Sequence, residues 1–275
     1  MLPSSVSASS VSRKGRSSSA GTKRPPSETD AALPPTKRSC SASPTKASID
    51  AMPNRVHRRV ILRDYGKPIY KASSRVALLA ALEACIEGHQ SLRKVGFLHR
   101  DISINNLMIN EDDENPSRRA FLVDLDLAIR DQRQDTSGAK GKTGTRAFMA
   151  IGALLGQYHS FMHDLESFFW VLFWICIPYN GPGKDIGPTD FESWNYESDN
   201  KLVGSKKGVI SDEEDFLNSA EVNFTPYYKS LIPWVNRLRR KVFPNGERRK
   251  HEDRGLYSKM KEVLQAARET EVTGS

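Results

Sequence analysis

Apolar side chains are distributed unevenly along the 275 residues, and no aromatic precedes Tyr65. From Val76 the apolar positions recur at three- and four-residue spacing through Leu79, Leu82, Ile86 and Leu92. Ser73 or Ser74 stands where a cap is needed and Gly96 where a stop is needed, so this stretch predicts an amphipathic helix. Between His163 and Ile177 apolar residues wrap nearly the whole circumference of a helix, which predicts a buried central one. Phe97-Leu98 runs into His99 and Phe121-Leu122-Val123 runs into Asp124. Both predict small buried strands whose ends present side chains to a cleft. Residues 55–70, with Val56, Val60, Ile61 and Leu62 ahead of a turn-like Asp64-Tyr65-Gly66-Lys67-Pro68, predict one or two strands and a connector. Residues 124–150 read as a long mobile loop and residues 180–219 as loop-rich, followed by helices over 226–243 and 256–269.

Composition separates the ends. Residues 1–54 hold 14 Ser and 7 of the 15 Pro, too little apolar surface to offset the entropy of ordering, and are expected to be disordered. Eight Lys/Arg against Glu28, Asp30 and Asp50 give this tail +5 of the chain's +8. The folded part is therefore not a basic module, and no specific nucleic-acid partner is expected. Cys40, Cys85 and Cys176 are odd in number and far apart, against a disulfide framework or a zinc ribbon. The longest apolar run, Phe168 to Ile177, is ten residues where a spanning helix needs about 20, so no membrane partner is expected. An intracellular site follows, cytoplasmic or nuclear, with Lys23-Arg24 and Lys37-Arg38 as weak nuclear signals.

The chemistry concentrates in His99-Arg100-Asp101-Ile102-Ser103-Ile104-Asn105-Asn106, which fits H-R-D, four residues, N. Phosphoryl transfer needs a carboxylate beside the attacking hydroxyl and an amide oxygen on magnesium, and this spacing supplies both. Eighteen residues after Asn106 comes Asp124, behind Leu122-Val123, a second hard oxygen ligand. Gly144-Thr145 ahead of Phe148-Met149-Ala150, and His163-Asp164-Leu165-Glu166-Ser167, complete four pieces in order.

These motifs make residues from about 54 to 243 resemble the fungal-type protein kinase family, with an α+β protein-kinase-like fold. The resemblance covers mostly the helical C-terminal lobe, with an incomplete N-terminal lobe. It implies a tail at 1–54, a remnant of N-terminal lobe and hinge at 55–72, and a C-terminal lobe at 73–270. It further implies ATP and magnesium as cofactors, a protein substrate or docking partner, Asp101 as catalytic base, and Asn106 and Asp124 on magnesium. By the same resemblance Arg100, next to His99, meets an acidic group of the activation segment, Thr145 hydrogen-bonds near the base, and Asp164 braces the catalytic loop.

Departures accompany the match. Residues 1–66 contain only Gly15, Gly21 and Gly66, so no G-x-G-x-x-G precedes His99, and no V-A-I-K-like lysine is present. Lys67 or a tail lysine is left as a stand-in cation. Asp126 takes the glycine place of D-F-G, Ala-Pro-Glu reads Ala150-Ile151-Gly152, and Ser103 stands where a lysine is usual. The tail resembles a Ser-rich basic insertion of that family, and the chain reads as a kinase that begins late.

Competing signals carry less. Gly141-Lys142-Thr143 lacks the first glycine of a P-loop, and His159 and His163 lack the glutamate of H-E-x-x-H and read as structural. The run Arg237, Arg239, Arg240, Lys241 and then Arg248, Arg249, Lys250 reads as solvated faces. Three functions follow: ATP-dependent phosphorylation of protein Ser/Thr, impaired by the missing loop and lysine; a non-catalytic binding module; and small-molecule phosphotransfer, which Arg100 and Gly144-Thr145 disfavour.

Overall fold

The computed structural model describes residues 65–114, 118–131 and 143–273. The tail, the strands expected before residue 65 and positions 132–142 of the expected loop lie outside them.

The architecture is α+β and mainly helical, built around α3 (Phe161–Ile175), in which every residue from Asp164 to Ile175 is buried. No face of this helix offers water a polar stripe, so it is stable only when surrounded. Its Phe173 ring meets Phe191 at 5.5 Å, Phe224 at 5.7 Å and Phe216 at 6.0 Å between centroids, and these rings come from three later segments. Each fully buried ring of this size contributes about 2–3 kcal/mol.

Helix α1 (Arg75–Lys94) begins where Ser74 Oγ accepts the Ala77 N–H at 3.1 Å. It ends at Gly96, whose φ of 86° suits glycine. Its buried face, including Leu78, Leu82, Cys85 and Ile86, packs on the C-terminal helix α7 (Leu256–Thr273) and on the small sheet. That sheet is antiparallel, in the order β1 (Lys67–Pro68), β3 (Leu107–Ile109), β4 (Ala120–Leu122). A second pair joins β2 (Phe97–Leu98) to β5 (Ile129–Arg130), with Leu98 opposite Ile129. Cys85 and Cys176 are buried free thiols. Among the described residues no helix is long and apolar enough to cross a membrane.

The structure corrects the sequence reading in three places. Residues 180–219 are not merely loop: after α2 (Ile151–Leu154) and α3 come α4 (Asp199–Ser211) and α5 (Glu213–Asn223). The buried positions of α4 are Leu202, Val203, Lys206 and Ile210, a thin stripe that contains a lysine and is interrupted by Gly204 and Gly208. Strand β3 went unpredicted because three residues are too few for alternation to register. On α6 (Ile232–Val242) Arg239 is not part of a solvated face: it is 3% exposed and donates to Ile210 O (2.7 Å) and Asn236 Oδ1 (2.9 Å).

Replacing Phe173 by Ala should destabilise the fold by about 3–5 kcal/mol, read as a fall in the urea midpoint. A change under about 1 kcal/mol would mean that α3 is not the organising element.

Candidate functional site

Residues 99–106 link β2 to β3, and their backbone is held from below by α3. Asp164 Oδ2 accepts the His99 N–H at 3.0 Å and Asp164 Oδ1 accepts the Arg100 N–H at 3.1 Å. Arg100 sits at φ 71°, a left-handed conformation that a non-glycine residue keeps only when its surroundings impose it.

His99, fully buried, bridges two strand ends. Its Nε2 lies 3.0 Å from Val123 O, so the proton is on Nε2, and Nδ1 accepts the Asp101 N–H at 3.3 Å. Burial lowers its pKa against the pull of Asp164, which keeps the imidazole neutral and this tautomer in place.

Asp101 is thereby aimed, and both its oxygens are occupied. Oδ1 accepts from Thr145 N (2.8 Å) and Thr145 Oγ1 (3.0 Å), and Oδ2 accepts from Asn106 Nδ2 (3.0 Å). The same Nδ2 donates to Asp101 O at 2.9 Å. Thr145 can approach because Gly144 precedes it at φ 117°, where a Cβ would stand 2.8 Å from Arg100 O.

Asn106 and Asp124 come from neighbouring strands. Leu107 pairs with Leu122 and the Val123 N–H donates to Asn106 O at 3.0 Å, so Asp124 is the next residue beyond the ladder. It turns out at φ 62° and is exposed, with Oδ1 accepting the Asp126 N–H at 3.3 Å. Asn106 Oδ1 and Asp124 Oδ2 make no hydrogen bond among the described residues, which leaves two hard oxygens open to a cation. No group of three or more His, Cys, Asp or Glu among the described residues could hold a metal by itself. A magnesium ion would complete its shell from phosphate and water, as that ion commonly does.

The structure therefore joins Asp101, Asn106 and Thr145 directly, braces them through His99, Arg100 and Asp164, and reaches Asp124 through Val123. Lys67 is taken: its Nζ pairs with Glu111 at 2.6 Å, and Glu111 also accepts from Ser73 N at 3.1 Å.

Three residues complete the brace: His159, which the sequence reading takes as structural, and His89 and Tyr257, which it does not single out. His89 Nε2 reaches Asp164 Oδ2 at 2.8 Å and its Nδ1 reaches Tyr257 OH at 2.8 Å, while His159 Nε2 reaches Asp164 Oδ1 at 2.7 Å. The available signal was His89 itself, a polar residue on the apolar face of α1. Burial alone would raise the Asp164 carboxyl; the His159 imidazole beside it, with His89, holds it well below the usual carboxylate range. Lys206 of α4 was also missed. It is fully buried, donates to Ala147 O at 2.8 Å and lies 4.0 Å over the Trp170 ring, fixing the segment that carries Thr145.

The fungal protein kinase family model matches residues 3–176. It begins well ahead of the stretch that the motifs delimit, taking in the Ser-rich tail, and stops at the end of α3. A casein kinase 1-like protein of Oryza sativa subsp. japonica is 28% identical over 159 residues, 50% of this chain and 20% of that protein. A probable casein kinase I homolog of Encephalitozoon cuniculi is 32% identical over 99 residues, 33% of this chain and 30% of that protein. The chain thus aligns with a minor part of either relative's length.

Asp164 titrates near the ordinary ~3.9 when unfolded and lower when folded, so its contribution is fully present above that value and is lost as pH falls through the folded pKa. Asp164→Asn should cost about 3–5 kcal/mol near neutral pH. In denaturant titrations its gap from the parent should close below about pH 4; a gap that persists there would show that the carboxylate is not the acid-sensitive element.

Proposed function

Because the chain belongs to the fungal protein kinase family, we propose that its described residues form the acceptor-side lobe of an ATP- and magnesium-dependent protein Ser/Thr phosphotransferase. The observation that carries this reading is the double clamp on Asp101, from Thr145 on one oxygen and Asn106 on the other.

Asp101 would orient the acceptor hydroxyl and receive its proton as the hydroxyl oxygen bonds to the γ-phosphorus and the bond from that phosphorus to the departing ADP breaks. The Asn106 and Thr145 bonds fix the direction of its remaining lone pairs, so little reorganisation is needed at that moment. Asn106 Oδ1 and Asp124 Oδ2 would hold magnesium. Magnesium ATP, when bound, supplies the phosphoryl group and the neutralising charge that its transfer requires. His99 keeps the Asp101 backbone and the Val123 carbonyl at a constant separation, so base and metal ligands form one unit. Thr145 couples that unit to the segment 146–151, the side from which a protein acceptor would come.

A second reading, a non-catalytic binding module, is favoured by one observation. The 275 residues hold no glycine-rich loop or strand lysine of the kinase type, and Lys67, the stand-in cation that the sequence offers among the described residues, is committed to Glu111. Those elements supply much of the electrostatic alignment of the γ-phosphate. A polypeptide of these residues by itself is therefore a weak phosphotransferase under the first reading and a docking protein under the second.

Turnover of magnesium ATP with a generic protein acceptor distinguishes the two. Low but measurable transfer that falls about 10²–10⁴-fold in Asp101→Ala supports the first reading. Transfer identical in parent and variant marks a contaminant and favours the second. Asp124→Asn should abolish the magnesium dependence of ATP binding in either a weak or a strong enzyme.

A further inference from the structure

A cavity of about 440 Å³ is lined by the α2–α3 connector, the start of α3 and residues 248–252. Gly152 and Glu166 lie at its floor, with Gln157, Tyr158, Ser160 and His163 along one wall and Arg248 and Lys250 along the other. None of these groups takes part in the clamp on Asp101.

Its polar lining consists mostly of donors. Arg248 has no ion pair among the described residues; its guanidinium donates to the neutral Gln157 Oε1 at 2.8 Å. Where Ala-Pro-Glu would put a carboxylate, this chain has Gly152, and a Cβ there would run into His163 Nε2 and Gln157 Oε1. His163 Nδ1 accepts the Ser160 N–H at 3.0 Å. Burial, then His159 and Arg248, bring the His163 pKa down to about 4, so at neutral pH the ring is uncharged and its single proton is on Nε2. That N–H has no acceptor among the described residues and lies in the cavity wall.

Two acids also line the cavity, and neither forms an ion pair with Arg248, whose charge nonetheless acts on Glu166 and opposes the effect of its burial. Glu166 uses Oε1 to accept from Ile151 N (2.7 Å) and Trp170 Nε1 (3.1 Å), and burial raises its carboxyl. Glu252, at the rim, leans toward Arg93 at 3.8 Å. Arg249 pairs with Asp253 at 2.9 Å and Lys250 with Glu247 at 2.9 Å, so Arg248 is the cation of residues 248–250 that forms no ion pair among the described residues. Tyr158, which also lines the cavity, is 81% exposed and offers its ring as an apolar ledge next to the donors.

We propose that this cavity is a docking site for an acidic segment of a partner protein, with a carboxylate or phosphate seated on Arg248 and the His163 Nε2–H and an adjoining apolar side chain on Tyr158. The partner is selected by charge complementarity and by spacing: an oxyanion needs the donors, and the residue next to it meets the ledge. The site does not depend on phosphoryl transfer, and it would serve a kinase that retains its substrate as well as a protein that only assembles others.

Fluorescence anisotropy on the full chain tests this with a labelled Glu-Glu-Leu-Glu-Glu peptide, the same peptide carrying Gln for each Glu, and a version with phosphoserine for one Glu. The acidic peptides should bind and the neutral one should not. Arg248→Gln should weaken binding at least about tenfold, with the melting temperature unchanged. The basic tail is identical in that variant, so tail attraction cannot account for the loss. Tyr158→Ala, at a position too exposed to disturb folding, should weaken the Leu-containing peptide about threefold or more. Tighter binding of the phosphoserine peptide identifies phosphate as the preferred anion, and equal or weaker binding identifies carboxylate. Acidic-peptide affinity that is unchanged in Tyr158→Ala, or in a folded Arg248→Gln, overturns the proposal. So does inorganic phosphate that binds while no peptide does.

Discussion

A single buried carboxylate holds the arrangement together. Asp164 accepts two backbone N–H groups from the catalytic loop and contacts two imidazoles, all within 3.1 Å. A charge this deep is tolerable only because every direction around it is filled by a donor. The donors come from α1, the loop at 99–100 and the connector before α3, so satisfying one group fixes three segments relative to the core helix. The left-handed Arg100 is the local cost, about 1–3 kcal/mol for such a conformation, and the two amide bonds to Asp164 keep it there.

Two further buried groups of opposite sign extend this logic to the segment beyond Thr145. Glu166, two residues along α3, receives Ile151 N; Lys206, from α4, donates to Ala147 O. Two buried side chains therefore grip the backbone within the turn at Arg146–Phe148 and just beyond it. Aromatic faces take the place of water around the ammonium: Trp170 lies at 4.0 Å and Trp194 at 5.0 Å. The placement of the segment that carries Thr145 thus depends on an α4 residue that no short motif contains.

What the sequence made legible follows from how local each signal is. The span of α1 could be read from its cap and stop, and α3 from unbroken apolarity, because each pattern is complete within one segment. The order His99, Asp101, Asn106, Asp124, Thr145, Asp164 was legible for a different reason: chemistry demands those side-chain types, and the family model matches the same region. Helices α4 and α5 were not legible, since much of their stabilisation comes from Lys206 and Arg239, polar side chains buried only because distant carbonyls and rings meet them. His89 and His159 were opaque likewise, as nothing near either in sequence announces a carboxylate 75 or 5 residues away.

The short ladder between β3 and β4 has a consequence for how the chain tolerates change. Its register is set at one end by the Val123 N–H on Asn106 O and at the other by the Asn110 N–H on Arg119 O, at 2.8 Å. Among its described residues, the connection between these two bonds adds no pairing to the ladder. Insertions and deletions in that connection leave Asn106 and Asp124 where they are, whereas the loss of one residue between 119 and 124 would turn Asp124 to the opposite face.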